Sequence, residues 1–241
     1  MGRYFLEVSY HGKNYAGFQI QRNAHTVQAE VEKALAIFYK QQINLTGSSR
    51  TDTGVHALQN FFHFDTNIEL DPKSVYNLNA ILPPDIVIKK IFPVSAIAHC
   101  RFDAVSREYK YYIYLAKNPF LDDRAYYYPY TLDFELLNKA ASIISHYTDF
   151  TSFSKRNTQV KTFICNVQKS EWVKKGECWV YNIKANRFLR GMVRGLVGTM
   201  LQAGRGKLNI EDFMKVIDAK DCSQADFSVP GYGLFLTKVE F

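Results

Sequence analysis

What this 241-residue chain lacks narrows its class before any motif is read. No run of about 18 apolar residues occurs, so no segment is expected to cross a bilayer. The opening Met1-Gly2-Arg3-Tyr4-Phe5-Leu6 passes directly into strand-like alternation. The apolar stretch and small-residue cleavage site of a secretory leader are missing, and a cytoplasmic protein is expected. Cysteine is sparse: Cys100, Cys165, Cys178 and Cys222 form no Cys-x-x-Cys pair and none stands at zinc spacing with a histidine. Cys100 follows His99, but two residues do not make a metal site, and reduced, structural thiols are expected. There is no phosphate-binding glycine loop, no Gly-x-Gly-x-x-Gly and no serine nucleophile elbow. No acidic cluster suggests two metals, and no paired carboxylates suggest a glycosidase. The chemistry is expected to need neither metal nor cofactor.

What is present points to a folded, moderately basic protein. A hydrophobic fraction of 47% excludes a mainly disordered chain. Lysine and arginine outnumber the acids by 30 to 23, a net charge of +7 that permits a nucleic-acid partner without requiring one. The length suits two modest cores better than one.

Period-two alternation predicts a first strand over 4–10. Val27, Val31, Ala34, Leu35 and Phe38 fall at helical spacing behind Thr26, a suitable N-cap. Short strands are expected over 43–46, 61–64 and 86–92, with a helix over 74–82 that Pro83-Pro84 stops. Further on, 105–115, 160–173, 178–185 and 234–239 read as strands. Helices are expected over 133–146, 188–203 and 210–217. Gly191, Gly195 and Gly198 share the 188–203 segment at close-approach spacing, each lowering helix propensity. Strands and helices do not alternate strictly, so the class is α+β, with two antiparallel sheets backed by helices. The division is placed near residues 95–105.

The most unusual stretch is Gly47-Ser48-Ser49-Arg50-Thr51-Asp52-Thr53-Gly54-Val55-His56-Ala57. Gly, Ser, Thr and Asp are turn formers, so a plain surface turn is one reading. The other is chemical. An aspartate on a loop with an arginine two residues away can be held ionised and used as nucleophile or base.

The segment Arg50-Thr51-Asp52-Thr53-Gly54-Val55-His56-Ala57 resembles the Arg-Thr-Asp-x-Gly-Val-His-Ala signature of the tRNA pseudouridine synthase A (TruA) family. Tyr10-His11-Gly12 and Gly17-Phe18-Gln19-Ile20-Gln21 are similar to its Tyr-Asp-Gly and Gly-Trp-Gln-x-Gln. Asn77 to Pro83, His99-Cys100-Arg101-Phe102 and Arg107-Glu108-Tyr109-Lys110-Tyr111 match further blocks. So do Asp149 to Phe153, Phe188 to Arg194, and Gly233-Leu234. The matches keep their order across essentially the whole chain. Departures include Ser48 and Ser49 in place of Ala-Gly, Thr53 in place of alanine, Phe18 in place of tryptophan, Ala98 in place of phenylalanine and His11 in place of aspartate.

The resemblance implies the pseudouridine synthase fold, two α+β halves around a basic cleft. Residues 1–100 would carry the catalytic-aspartate loop and 101–241 would complete the RNA-binding cleft. It implies isomerisation of uridine to pseudouridine in the anticodon stem-loop of tRNA, at about positions 38 to 40, by a homodimer without a cofactor. Asp52 would be the catalytic carboxylate and Arg194 the cation that keeps it ionised. Tyr109 would contact the detached base, Arg50 would fill the gap left by the flipped nucleotide, and Leu234 would pack beneath the base. Lys13, Arg22, Arg187 and Arg190 would follow RNA phosphates, while His56 and His99 would brace loops. Two alternatives stay open: a synthase acting on other tRNA positions or other RNA, and a noncatalytic RNA-binding module. A nucleoside hydrolase is disfavoured, because no water-activating partner for Asp52 is visible.

Overall fold

The computed structural model describes residues 2–71, 73–156 and 160–241. In chain order its elements are β1 (Gly2–Tyr10), α1 (Val27–Tyr39), β2 (Thr46–Gly47), β3 (His56–Thr66), α2 (Ser74–Ile81), β4 (Ile86–Val94) and β5 (Ser106–Tyr114). They continue with β6 (Tyr126–Tyr127), α3 (Phe134–Ile144), β7 (Val167–Lys175), β8 (Cys178–Ala185), α4 (Met192–Gly204), α5 (Ile210–Asp218) and β9 (Leu234–Glu240). The chain divides into two compact units, Met1–Val105 with Phe235–Phe241, and Ser106–Leu234.

In the first unit the strands lie in the order β4-β1-β3-β9, with β2 paired to β3. β1 is antiparallel to both neighbours, with Leu6 opposite Phe62 on one side and Ile91 on the other. β9 joins β3 in parallel, His56 beside Phe235 and Ala57 beside Leu236, so the sheet is mixed and not antiparallel throughout. Leu6, Val8, Val31, Leu35, Phe62 and Leu78 are buried, as the alternation of β1 and the helical spacing of α1 require. Thr26 Oγ1 accepts the Ala29 N–H and fixes the start of α1. Leu82, which precedes proline, turns extended and ends α2.

The second unit has the order β7-β8-β5, with β6 on β5. β5, β8 and β7 run antiparallel, but β6 is parallel to β5, so the strand pairing within this unit is mixed as well. Tyr109, Tyr111 and Ile113 are buried on one face of β5. Asp133 caps α3 by accepting from the Glu135 and Leu136 amides.

Several boundaries differ from the sequence expectation for physical reasons. The predicted 61–64 strand is the middle of the eleven-residue β3, whose buried His56, Asn60 and His63 interrupt the apolar pattern. The 43–46 strand shrinks to the two residues of β2, and β7 begins at Val167 and not near 160. The helix expected from 188 starts at Met192, because Gly191 takes a left-handed φ of 75° just before it.

Candidate active site

Residues 48–55 leave β2 and return as β3, and a buried polar network holds this loop from behind. Asn60 Nδ2 donates to the Ser49 carbonyl at 2.9 Å and to the Tyr10 hydroxyl oxygen at 3.2 Å. With that lone pair taken, the Tyr10 proton is available to Thr51 Oγ1, 2.8 Å away. The Ser48 amide donates to the Phe61 carbonyl at 2.8 Å. The next residue after the anchored Thr51 is Asp52. Its carbonyl accepts the Val55 N–H at 3.1 Å and closes the turn. Thr51 is buried, Asp52 half-buried and Arg50 exposed, so the loop is fixed at its root.

A second loop, residues 11–18, lies against the first through its backbone. The Phe18 amide donates to the Thr51 carbonyl at 3.2 Å, and the Gly54 amide donates to the Tyr15 carbonyl at 3.4 Å. The Gly12 amide donates to His56 Nδ1 at 3.0 Å, so a neutral His56 carries its proton on Nε2. A Cβ on Gly12 would stand 2.0 Å from the Val55 carbonyl oxygen, a contact that only glycine permits. The Phe18 ring stacks on Phe62 at 4.4 Å between centroids, and the His56 ring stacks on Phe235 at 4.4 Å. The tryptophan-to-phenylalanine departure at residue 18 therefore keeps an aromatic wedge under the loop.

The remaining predicted residues belong to the second unit. Tyr109 is buried, its ring edge-on to Phe188 at 4.9 Å. Arg194 sits in the first turn of α4 and grips the segment ahead of β9. Its Nε donates to the Val229 carbonyl at 2.7 Å and its Nη2 to the Phe227 carbonyl at 3.4 Å. The Tyr111 hydroxyl donates to the Pro230 carbonyl at 2.8 Å in the same segment. Burial raises the Tyr111 pKa well above the usual phenol range, with the Arg194 charge opposing, so this donor stays protonated. The segment ends at Leu234, buried at the start of β9. Within this unit, then, Arg194, Tyr111 and the approach to Leu234 form one fixed assembly. Tyr109 stands two residues from Tyr111 on the same face of β5.

Of the other basic residues, Lys13, Arg22 and Arg190 are exposed and Arg187 is half-buried. His99 Nδ1 accepts the Arg101 and Phe102 amides at 3.2 and 3.4 Å, so His99, like His56, braces a loop. Tyr10, Asn60 and Tyr111 support these segments, a role that the sequence reading gave to none of them. The available signal was Asn60, a polar residue directly ahead of the apolar Phe61-Phe62 pair. Among the described residues no group of three or more His, Cys, Asp or Glu could hold a metal, and no helix is long and apolar enough to cross a membrane. The four cysteines are free, and burial pushes the Cys165 thiol up to about 11, far from a reactive thiolate.

Comparison with known proteins adds an independent finding. The sequence profile of a family described as tRNA pseudouridine synthase matches residues 7–103 and 147–241. The tRNA pseudouridine synthase A of Parabacteroides distasonis is 48% identical over 243 residues, covering 100% of this chain and 96% of the relative. The protein of the same name from Bacteroides thetaiotaomicron is 48% identical over 245 residues, covering 100% of this chain and 91% of the relative. That of Staphylococcus aureus is 37% identical over 241 residues, covering 98% and 90%. The full-length alignments span β5, which the profile matches leave out.

Proposed function

Because the chain belongs to the tRNA pseudouridine synthase family, we propose that it acts on uridines of the tRNA anticodon stem-loop, at about positions 38 to 40. It is an isomerase that converts uridine to pseudouridine in tRNA. The reaction breaks the bond from ribose C1′ to N1 of uracil and forms a bond from C1′ to C5. The C5 proton leaves and N1 gains one, so atoms and electrons balance without a co-reactant.

Asp52 is the catalytic carboxylate on this reading. Covalent addition by the carboxylate and abstraction of a ribose proton both require it ionised and held in a fixed direction. The observation that supports the assignment is the anchoring of its loop. Thr51 and Ser49 are tied to Tyr10 and Asn60, while the Asp52 side chain stays only half-buried. A mere surface turn needs no such buried polar network, since each unsatisfied group in it would cost about 1–3 kcal/mol. Arg194 supplies the compensating cation, and its clamp on Val229 and Phe227 restricts the guanidinium to one orientation. Tyr109 contacts the detached base, Leu234 packs beneath it, and exposed Arg50 replaces it in the stack. Lys13, Arg22, Arg187 and Arg190 contact phosphates, so both units handle the same RNA. The active species is a homodimer working in the cytoplasm.

The test uses a tRNA transcript tritiated at uridine C5, without added cofactor, and compares the protein with its Asp52→Ala variant. Tritium release by the unaltered protein alone, with the label lost from about positions 38 to 40, is the expected result. Equal release by both proteins would remove Asp52 from the mechanism. Release from other positions would replace the assigned target.

A further inference from the structure

The loop that backs the Asp52 turn is itself strapped to a rigid corner elsewhere in the first unit. Asp85 follows Pro83-Pro84 between α2 and β4. Its carboxylate takes two side chains of the backing loop, the Tyr15 hydroxyl on Oδ1 and Asn14 Nδ2 on Oδ2 at 2.9 Å. Its carbonyl accepts the His11 amide at 2.9 Å. The corner is stiff for two reasons. Two prolines fix their own φ, and Asn79 of α2 binds both the N–H and C=O of Ile88 in β4, at 2.8 and 2.9 Å.

From Asp85 the contacts lead directly to the catalytic turn. Tyr15 is 2% exposed, its ring lies 4.7 Å from that of His25, and its carbonyl accepts the amide of Gly54, two residues from Asp52. Burial, and then the Asp85 carboxylate, hold the Tyr15 hydroxyl far above the usual phenol range. It therefore donates at every working pH. None of these groups is part of the chemistry assigned above.

We propose that Tyr15 and Asp85 are positioning residues: their hydrogen bond sets the backing loop, and through it the direction in which Asp52 presents its carboxylate. The proposal rests on the assignment of Asp52 as the catalytic group. A small displacement of a reacting group costs rate far more than affinity, on the order of 10²-fold for about 1 Å.

Two readouts on the same full-length variants, Tyr15→Phe, Asp85→Ala and Asp85→Asn, test it. In tritium release from C5-labelled tRNA, Tyr15→Phe and Asp85→Ala should each lower kcat by about 10- to 100-fold with KM within about twofold. The double variant should be no slower than Asp85→Ala, because the bond lost in Tyr15→Phe is already lost in Asp85→Ala. Asp85→Asn keeps an acceptor for Tyr15 and should recover most of the rate. Amide hydrogen exchange supplies the second readout, which needs no activity. Exchange at Gly54 should accelerate about tenfold or more in Tyr15→Phe, with the β1 and β3 amides unchanged.

An unchanged kcat in Tyr15→Phe overturns the proposal. So does a rise in KM alone, which would make Tyr15 an RNA contact, or unchanged Gly54 exchange. Loss of protection across β1 and β3 also overturns it, by showing a general support of the fold. If the unaltered protein releases no tritium, the functional assignment fails, and Gly54 exchange still decides whether the strap exists.

Discussion

At the scale of single residues, the polar groups buried behind the Asp52 turn have partners. Asn60, Thr51 and Tyr10 satisfy one another beneath the Asp52 turn, and removing any of them would leave a buried donor or acceptor unmet. His63, also buried on β3, is a different case. Burial first, then the neighbouring His99 and Arg3 charges, lower its pKa from the ordinary 6.5. The folded chain therefore binds this proton less readily than the unfolded one. Stability from His63 is present above pH 6.5 and is lost as pH falls through that value toward the folded pKa. Urea midpoints at about pH 7.5 and 5.5 should fall more with acid in the unaltered protein than in His63→Gln. Equal falls would show that His63 does not govern this part of the acid sensitivity.

At the scale of elements, α4 illustrates how helix propensity gives way to packing. Gly195 and Gly198 each sacrifice about 1 kcal/mol relative to alanine. In return, residues 226–229 lie directly on the helix, where Arg194 can clamp them. A Cβ at Gly198 would stand 2.1 Å from the Asp226 carbonyl oxygen, whereas one at Gly195 would meet the Phe227 ring at 2.8 Å. A backbone carbonyl cannot step aside as a ring edge can. Gly198→Ala should therefore lower the unfolding free energy by about 2 kcal/mol or more, and Gly195→Ala by less. Urea denaturation of the two variants checks the order, and a stabilised Gly198→Ala would show that propensity wins after all. The outer strands repeat another device: Asn138 of α3 binds both the N–H and C=O of Trp172 in β7, as Asn79 binds Ile88 in β4. A helix side chain thus occupies the strand edge where another chain could add.

At the scale of the whole molecule, the net charge sets an expectation for how tRNA binding responds to salt. A net charge of +7 includes exposed Lys13, Arg22, Arg50 and Arg190. If about six phosphates are neutralised, affinity for tRNA should fall on the order of 10³-fold between about 50 and 200 mM salt. Filter binding across that range measures the slope. Little salt dependence would mean that phosphate contacts contribute little and that shape and stacking carry the affinity.

The sequence by itself determined the parts that depend on local pattern and on covalent order. The alternation in β1, the caps Thr26 and Asp133, and the proline stop after α2 all follow from neighbouring residues. The Asp52 loop was legible because its unusual composition is contiguous. Tertiary structure decided what depends on residues far apart in the chain. Parallel pairing of β9 with β3 joins His56 to Phe235, a choice that neither strand's alternation encodes. The start of α4 at Met192, although the apolar period extends back to 188, follows from the left-handed turn at Gly191. Asp85 looked like an ordinary residue after two prolines. Only folding brings its carboxylate to Tyr15, because a hydrogen bond across 70 residues is set by the packing of whole elements and not by any local preference.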